Sequence, residues 1–198
     1  MPAAHAAVVY SEDFNSLSFA GASVLPNDTS DSWASTAYYQ ANSVNGWTMN
    51  NGALYAQKIG SSPNDGALLL NETPVSGVAS TITGLTQGQL YSLDFLQWGD
   101  NKPGQAYVGK VTIDGNLFTY SGVDGAPGTN PGTMHSYLFV ASGTSAVLQF
   151  GESSGTAASP IVDNVTISEV PEPATLGILG LAMAGLGALR RGRRSPSL

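Results

Sequence analysis

The segment QLYSLDFLQW, residues 89–98, alternates between two kinds of position. Tyr91, Leu93 and Phe95 fall on one face of an extended chain, and the opposite, more polar face ends in Trp98. A period of two is typical of a β-strand that buries one face and exposes the other. The segment therefore predicts a strand whose aromatic face lies in a hydrophobic core.

Segments of the same kind lie on both sides of this strand, between turn signals. They read AVVYSEDF (7–14), NGWTMNNGALYAQ (45–57), GALLLN (66–71), VASTITGL (78–85), GKVTIDGNLFTYSG (109–122), SYLFVASGTSAVLQF (136–150) and IVDNVTISEV (161–170). Eight or more strands with short connections predict an all-β fold, an antiparallel β-sandwich of the jelly-roll type.

Two of these segments are expected to be hairpins. Asp114-Gly115 suits a tight two-residue turn in the middle of residues 109–122, and Gly143 marks a turn within residues 136–150. Residues 16–45 show the least pattern of the chain, so we expect a long surface excursion there.

Charge is divided unevenly along the 198 residues. Residues 1–169 hold thirteen acidic residues and three lysines, a net charge of −10, whereas the last 29 residues have a net charge of +3. Binding nucleic acid requires a basic surface, so the composition argues against a nucleic-acid partner. The chain has no cysteine, which excludes disulfides and thiolate metal sites.

The C-terminal segment combines an apolar run with a basic cluster. Residues 173–189 contain no charge, and Arg190, Arg191, Arg193 and Arg194 follow at once. As a helix the run would extend about 25 Å, enough to cross a thin bilayer. Arginines favour the cytoplasmic side, which would place the acidic body across the membrane. The alternative is a core helix at the end of the domain, but such a helix needs no arginine cluster.

Val170-Pro171-Glu172-Pro173 comes directly before this run, and its prolines predict a stiff extended spacer. The order of Pro-Glu-Pro, apolar segment and arginine cluster resembles the PEP-CTERM sorting signal of Gram-negative bacteria. The resemblance implies recognition by an exosortase in the membrane, removal of the tail, and delivery to the cell surface or the exopolysaccharide matrix.

The predicted division of the chain has three parts. Residues 1–7, with a small-x-small pattern at Ala4-His5-Ala6, are expected to be a signal-peptide remnant or a disordered N-terminus. Residues 8–169 form the β-sandwich, and residues 170–198 form the sorting signal with its single transmembrane helix.

The body also resembles a family. The series Asn45-Gly46-Trp47, GALLLN, ITGLTQGQLYSLDF, VTIDG and PIVDNVTI is similar to the galactose-binding-like, DUF642-like jelly rolls that accompany such tails. These domains are related to carbohydrate-binding modules, so the resemblance implies binding of an extracellular polysaccharide.

Two carboxylates stand at positions that the alternation assigns to the core. Glu12 shares a face with Tyr10 and Phe14, and Asp163 is expected to share a face with Ile161, Val165 and Ile167. A charge facing a core needs a partner or a cation. In jelly rolls of the resembled type a structural Ca²⁺ often lies between the first and last strands. We therefore predict a calcium site with Glu12, Asp163 and Asp13 as ligands. The alternative is that these strand ends are solvated and the carboxylates accept backbone N–H bonds.

Sugar binding generally uses exposed aromatic rings flanked by polar groups. Trp98, Asn101 and Tyr39 are the predicted ligand-binding residues, although Trp98 could instead cover a sheet edge. We assign Trp47 and Tyr91 to the core.

The sequence offers little support for an enzyme. A Ser-His-Asp triad would depend on His135 alone, and no G-x-S-x-G motif accompanies this residue. The sequence therefore predicts a non-enzymatic polysaccharide-binding protein. A purely structural matrix protein is the alternative, and a glycoside-active enzyme is a distant third.

Overall fold

The structure is a computed structural model of the chain. It describes residues 6–15, 23–24, 38–41, 43–44, 46–49, 54–58, 66–70, 77–99, 104–123, 132–152 and 160–171. Among these residues the regular structure consists entirely of β-strands. In chain order they are β1 (Val8–Glu12), β2 (Ser23–Val24), β3 (Tyr38–Ala41), β4 (Ser43–Val44), β5 (Trp47–Met49), β6 (Leu54–Lys58), β7 (Gly66–Leu69), β8 (Gly77–Thr83), β9 (Leu90–Gly99), β10 (Ala106–Ile113), β11 (Asn116–Val123), β12 (Thr133–Val140), β13 (Ser145–Glu152) and β14 (Pro160–Glu169).

The strands form two antiparallel sheets that pack face to face, which confirms the predicted all-β antiparallel sandwich. Sheet A has the order β12-β9-β14-β7-β6-β3-β2, with β1 added on β14. Sheet B has the order β11-β10-β13-β8-β5-β4. The terminal strands β11 and β12 contact each other and close one side of the sandwich.

The core lies between the sheets and is rich in aromatic rings. Trp47 contacts Phe14 and Phe150 at centroid distances of 5.8 Å each, and Phe150 contacts Phe95 edge to face at 4.9 Å. Tyr91, Leu93 and Phe95 are fully buried, as the alternation of residues 89–98 predicts. Burying side chains of this size contributes about 1.5–3 kcal/mol each.

The turn at Asp114-Gly115 is confirmed. Both residues have positive φ angles, 51° and 77°, and Ile113 pairs directly with Asn116. This geometry is that of the tight two-residue hairpin turn favoured by Asp-Gly.

The predicted hairpin around Gly143 is wrong. β12 pairs with β9 in sheet A, whereas β13 pairs with β8 and β10 in sheet B. Residues 141–144 therefore carry the chain from one sheet to the other. The prediction failed because two strands and a short turn look alike in sequence whether or not the strands pair.

The excursion predicted for residues 16–45 contributes to the sandwich. β2 and β3 lie at one edge of sheet A, and β4 lies at one edge of sheet B.

The last strand carries a bulge that changes which side chains face the core. The register of β14 against β9 shifts between Asp163 and Thr166, and Asn164 has a φ of 50°. Val165 and Ile167 belong to the main core, but Ile161 packs with Ala67 and Leu96 in a second apolar cluster. Asp163, which pairs with Leu96, therefore shares a face with Ile161 and not with Val165 and Ile167 as predicted.

No helix long and apolar enough to cross a membrane occurs among the described residues. The predicted transmembrane helix and the arginine cluster fall in residues 172–198, outside the described residues, as does His5 of the predicted N-terminal remnant.

Candidate functional site

Six strand ends meet at one end of the sandwich. In sheet A, the end of β9 lies beside the starts of β12 and β14, because Gln97 pairs with Thr133 and Gly99 pairs with Pro160. In sheet B, the start of β10 lies beside the ends of β11 and β13. Ring contacts of Phe95 with Tyr120 and Phe150 join the two sheets near this end.

Near this end the space between the sheets holds polar and aromatic side chains. We call Gln97, Tyr107, Tyr120, His135, Tyr137 and Glu152 the polar–aromatic cluster. Gln97, Glu152, Tyr120 and Tyr107 are 0%, 3%, 4% and 3% exposed. At the opposite end the same space is filled by Ile82, Leu85, Ile113, Phe139, Ala146 and Leu148. Because burying polar groups opposes folding, the cluster requires an explanation that the apolar end does not.

In the β10–β11 hairpin, two of the tyrosines each lie opposite a glycine. Tyr107 pairs directly with Gly122, and Gly109 pairs directly with Tyr120. A Cβ atom added to either glycine would collide with the ring of its tyrosine partner. The absence of a side chain on each glycine thus allows the opposing ring to lie over the backbone.

His135 lies at the centre of the ring contacts. Its imidazole stacks on Phe95 at a centroid distance of 5.3 Å and lies 5.2 Å from the ring of Tyr120. Its Nε2 is 3.4 Å from Oε1 of Gln97. Burial lowers the pKa of His135, so this side chain is neutral at pH 7.

Tyr137 forms the more exposed part of the cluster. Its ring stacks on Phe118 at 4.6 Å with an interplanar angle of 19°, and it is nearly parallel to His135 at 6.2 Å. Its hydroxyl donates to the carbonyl oxygen of Thr119 at 3.0 Å. This bond joins β12 to β11 and holds the stacked rings of Tyr137 and Phe118 together.

The hydroxyl of Tyr120 is buried and finds no hydrogen-bond partner among the described residues. Burial first, and then the nearby Tyr137, Tyr107 and Glu152, raise the pKa of Tyr120 well above its usual value. The group therefore stays protonated and can donate. A buried hydroxyl without a partner costs about 1–3 kcal/mol, a cost that a bound ligand or water would offset.

The cluster offers the chemistry of sugar recognition. Aromatic faces pack against the C–H faces of sugar rings, and hydroxyl, amide and imidazole groups exchange hydrogen bonds with sugar hydroxyls. The cluster contains a single carboxylate, that of Glu152, whereas glycoside hydrolysis normally uses two.

The sequence reasoning missed this cluster. It set His135 aside because no catalytic motif accompanies it, and it did not consider Gln97, Tyr120, Tyr137 or Glu152. The repeated Tyr-x-Gly of Tyr107–Gly109 and Tyr120–Gly122, at mirrored positions of one hairpin, was the available signal.

The predicted ligand-binding residues are described only in part. Trp98 pairs with Ile161 on β9, and Tyr39 pairs with Ala56 on β3. Three strands separate β9 from β3, so these backbones lie about 19 Å apart at the usual strand spacing. The side chains of Trp98 and Tyr39, and the whole of Asn101, lie outside the described residues. Their role in binding stays a prediction.

The predicted calcium ligands lie on neighbouring strands. Glu12 pairs with Val165 of β14, two positions from Asp163, which is only 5% exposed. Oε1 of Glu12 accepts the N–H of Phe14 at 2.8 Å, and Oδ1 of Asp163 accepts the N–H of Asn164 at 2.6 Å. Asp13 is exposed and accepts the N–H of Asn15 at 3.1 Å.

These backbone bonds are those expected if the carboxylates serve only the strand ends. Across the described ranges, no three His, Cys, Asp or Glu side chains come together as a metal-binding group. Oδ2 of Asp163 also accepts the side-chain N–H of Asn164 at 3.2 Å. Glu12 shares the face of its partner Val165, whereas Asp163 lies on the opposite face with Ile161. The oxygen chemistry of the two carboxylates suits Ca²⁺, and the calcium site stays a prediction.

Comparison with known proteins identifies the tail. Residues 169–194 match the model of the PEP-CTERM protein-sorting motif, which confirms the predicted sorting signal. The motif marks an exported protein with a C-terminal membrane-anchoring signal. The separate roles of Pro171, Glu172 and the arginines stay predictions. No curated protein matches the chain.

Several solved structures resemble the sandwich. The CBM22-1 xylan-binding domain of Paenibacillus barcinonensis Xyn10C is 9% identical, with a TM-score of 0.45 over 86% of this chain and 99% of that one. A family 35 carbohydrate-binding module from Clostridium thermocellum is 14% identical, with a TM-score of 0.47 over 67% and 97%. The CBM22-1–GH10 modules of Clostridium thermocellum xylanase 10B, complexed with xylohexaose, are 20% identical, with a TM-score of 0.44 over 82% of this chain and 28% of that one. At these identities and scores the similarities assign neither a family nor a ligand to the present chain.

Proposed function

We propose that this protein is exported, remains at the cell surface or in the extracellular matrix, and binds polysaccharide without catalysing a reaction. The polar–aromatic cluster is the observation that carries this proposal. The buried Tyr120 hydroxyl, which has no hydrogen-bond partner among the described residues, is costly for a sandwich that only has to fold. A sugar hydroxyl would supply that partner.

The sorting signal explains where the body would act. The apolar run stops in the membrane, the arginines of the tail stay on the cytoplasmic side, and the sandwich remains on the periplasmic side. An exosortase then removes the tail and releases the body to the surface or matrix.

Polysaccharide retention tests the binding function. The full chain in mild detergent is passed over insoluble polysaccharides, and the retained fraction is compared with that of Tyr137→Ala and Trp98→Ala. Loss of retention in Tyr137→Ala supports the cluster as the site, whereas loss only in Trp98→Ala assigns binding to the predicted Trp98 surface. If no polysaccharide retains the chain, the result favours the alternative of a structural matrix component.

We also propose a structural Ca²⁺ held by Glu12 and Asp163, with Asp13 nearby. Such an ion would join the end of β1 to the bulge of β14 and stabilise the fold. Calorimetry on the full chain should give heat on addition of Ca²⁺ and a higher melting temperature, and both effects should disappear in Asp163→Asn. Neither heat nor a raised melting temperature in the unmodified chain would exclude the ion.

A further inference from the structure

We propose that the polar–aromatic cluster selects an uncharged polysaccharide and discriminates against carboxylated or sulfated ones. This inference rests on the proposed polysaccharide-binding function and names the class of ligand. Recognition of an anionic sugar requires cationic side chains, above all arginine, or a bound metal ion. The composition of the cluster gives the opposite preference.

The cluster contains no lysine or arginine. In the part of the chain whose side chains are described, Lys110 is the one basic residue of these two types. It lies on β10 between the buried residues Gly109 and Val111, so its side chain points away from the cluster. Lys110 therefore cannot pair with an anion bound there.

The ionisable groups of the cluster do not supply a positive charge either. His135 is neutral at pH 7 because burial lowers its pKa. Tyr120 and Tyr137 stay protonated because burial raises the pKa of both. These groups donate and accept single hydrogen bonds, as sugar hydroxyls do.

The remaining ionisable side chain of the cluster is acidic. Glu152 is 3% exposed, pairs with Gly109, and lies close enough to Tyr120 to influence its pKa. When ionised, Glu152 would repel a carboxylate on a sugar bound at the cluster.

The charge of the whole body acts in the same direction. Residues 1–169 have a net charge of −10. A field of this sign repels a polyanion before contact and is screened by salt.

Affinity electrophoresis of the full chain in EDTA tests the inference. The gels contain either hydroxyethylcellulose or carboxymethylcellulose, and either uronate-free xylan or the same xylan carboxymethylated. Where a pair of polymers retards the chain, the chain should bind the neutral polymer roughly tenfold more tightly than the carboxymethylated one. This difference should shrink as NaCl is raised from about 20 to about 500 mM.

Two charge variants separate the cluster from the general field. Glu152→Gln should reduce the discrimination against the anionic polymer several-fold. Glu169→Gln makes the same charge change at the other end of the sandwich, beside Tyr91, and should change it much less. If Glu152→Gln does not fold, the binding of the unmodified chain to neutral and to anionic polymers still tests the neutral selectivity.

The outcomes are distinct. Equal or tighter binding of the anionic polymers overturns the neutral selectivity and leaves polysaccharide binding standing. Retardation by none of the four polymers and by none of a wider neutral set overturns the proposed function and the selectivity together.

Discussion

The ring of Tyr120 lies over the Cα atom of Gly109, its direct cross-strand partner in the β10–β11 hairpin. Tyr107 lies over Gly122 in the same way, in the next pair of this kind along the hairpin. The two pairs leave room between the sheets for buried tyrosine hydroxyls. A larger residue at either glycine would displace the ring that forms the cluster.

Gly109→Ala should therefore destabilise the protein by about 1–3 kcal/mol, because the new methyl group must displace the Tyr120 ring in a packed core. Alanine would otherwise suit a strand better than glycine. Urea denaturation measures the change. Gly143→Ala is the matched control, since its added Cβ approaches nothing closer than 3.9 Å and its φ is not in the left-handed region. Equal stability of the Gly109 variant and the native chain would show that the ring is not held there.

The structure shows which parts of the fold a sequence can specify locally. The alternation of residues 89–98 and the turn at Asp114-Gly115 depend on neighbouring residues alone, and both predictions are confirmed. The tail was recognised because its parts are contiguous. The hairpin around Gly143 failed because the choice of sheet is made by distant strands.

The same reasoning explains the missed site. Gln97, Tyr107, Tyr120, His135 and Glu152 come from five different strands, so only the packing of the two sheets brings them together. The face of Asp163 was predicted wrongly because one bulge residue, Asn164, shifts the alternation. Neither a bulge nor a contact between sheets leaves a periodic signal.

Tyr120→Phe and Tyr91→Phe remove the same atom and should change stability in opposite directions. The Tyr120 hydroxyl is buried without a hydrogen-bond partner among the described residues, so its removal should stabilise the unliganded protein by about 1 kcal/mol. The Tyr91 hydroxyl accepts the N–H of Thr86 at 2.9 Å, and its removal should cost about 1–2 kcal/mol. Urea denaturation of both variants and the native chain measures the two changes in the free energy of unfolding. A loss of stability in Tyr120→Phe would mean that the hydroxyl already has a hydrogen-bond partner.

The same two variants should separate binding from stability. Tyr120→Phe should weaken retention on polysaccharide by roughly tenfold, the value of one hydrogen bond of about 1.4 kcal/mol. Tyr91→Phe should leave retention unchanged, because Tyr91 stacks on Phe139 away from the cluster. A more stable Tyr120 variant that binds as tightly as the native chain would remove this hydroxyl from the site.

Asp114 joins the β10–β11 turn to the crossing between β12 and β13. Its carboxylate accepts the backbone N–H of Ser142 at 2.5 Å and the Ser142 hydroxyl at 2.6 Å. Asp114→Ala loses both bonds and places alanine at a φ of 51°, so it should cost about 2–3 kcal/mol. Asp114→Asn tolerates the same φ and retains one acceptor, and should cost about half as much. Thermal melts that rank the two variants equally would contradict this account of the turn.

His135 should make stability depend on pH near neutrality. Burial lowers its pKa in the folded state below the unfolded value of 6.5, so the unfolded chain binds the proton first as the pH falls. Stability is thus lost as the pH drops below 6.5, and the loss levels off below the folded-state pKa. His135→Gln should show a smaller decrease in unfolding free energy between about pH 7.5 and pH 5.5 than the native chain. His5→Gln, which changes the only other histidine, is the control and should keep the native pH dependence. If the unfolding free energies of the native chain and of His135→Gln fall equally with pH, the pH effect belongs to the carboxylates.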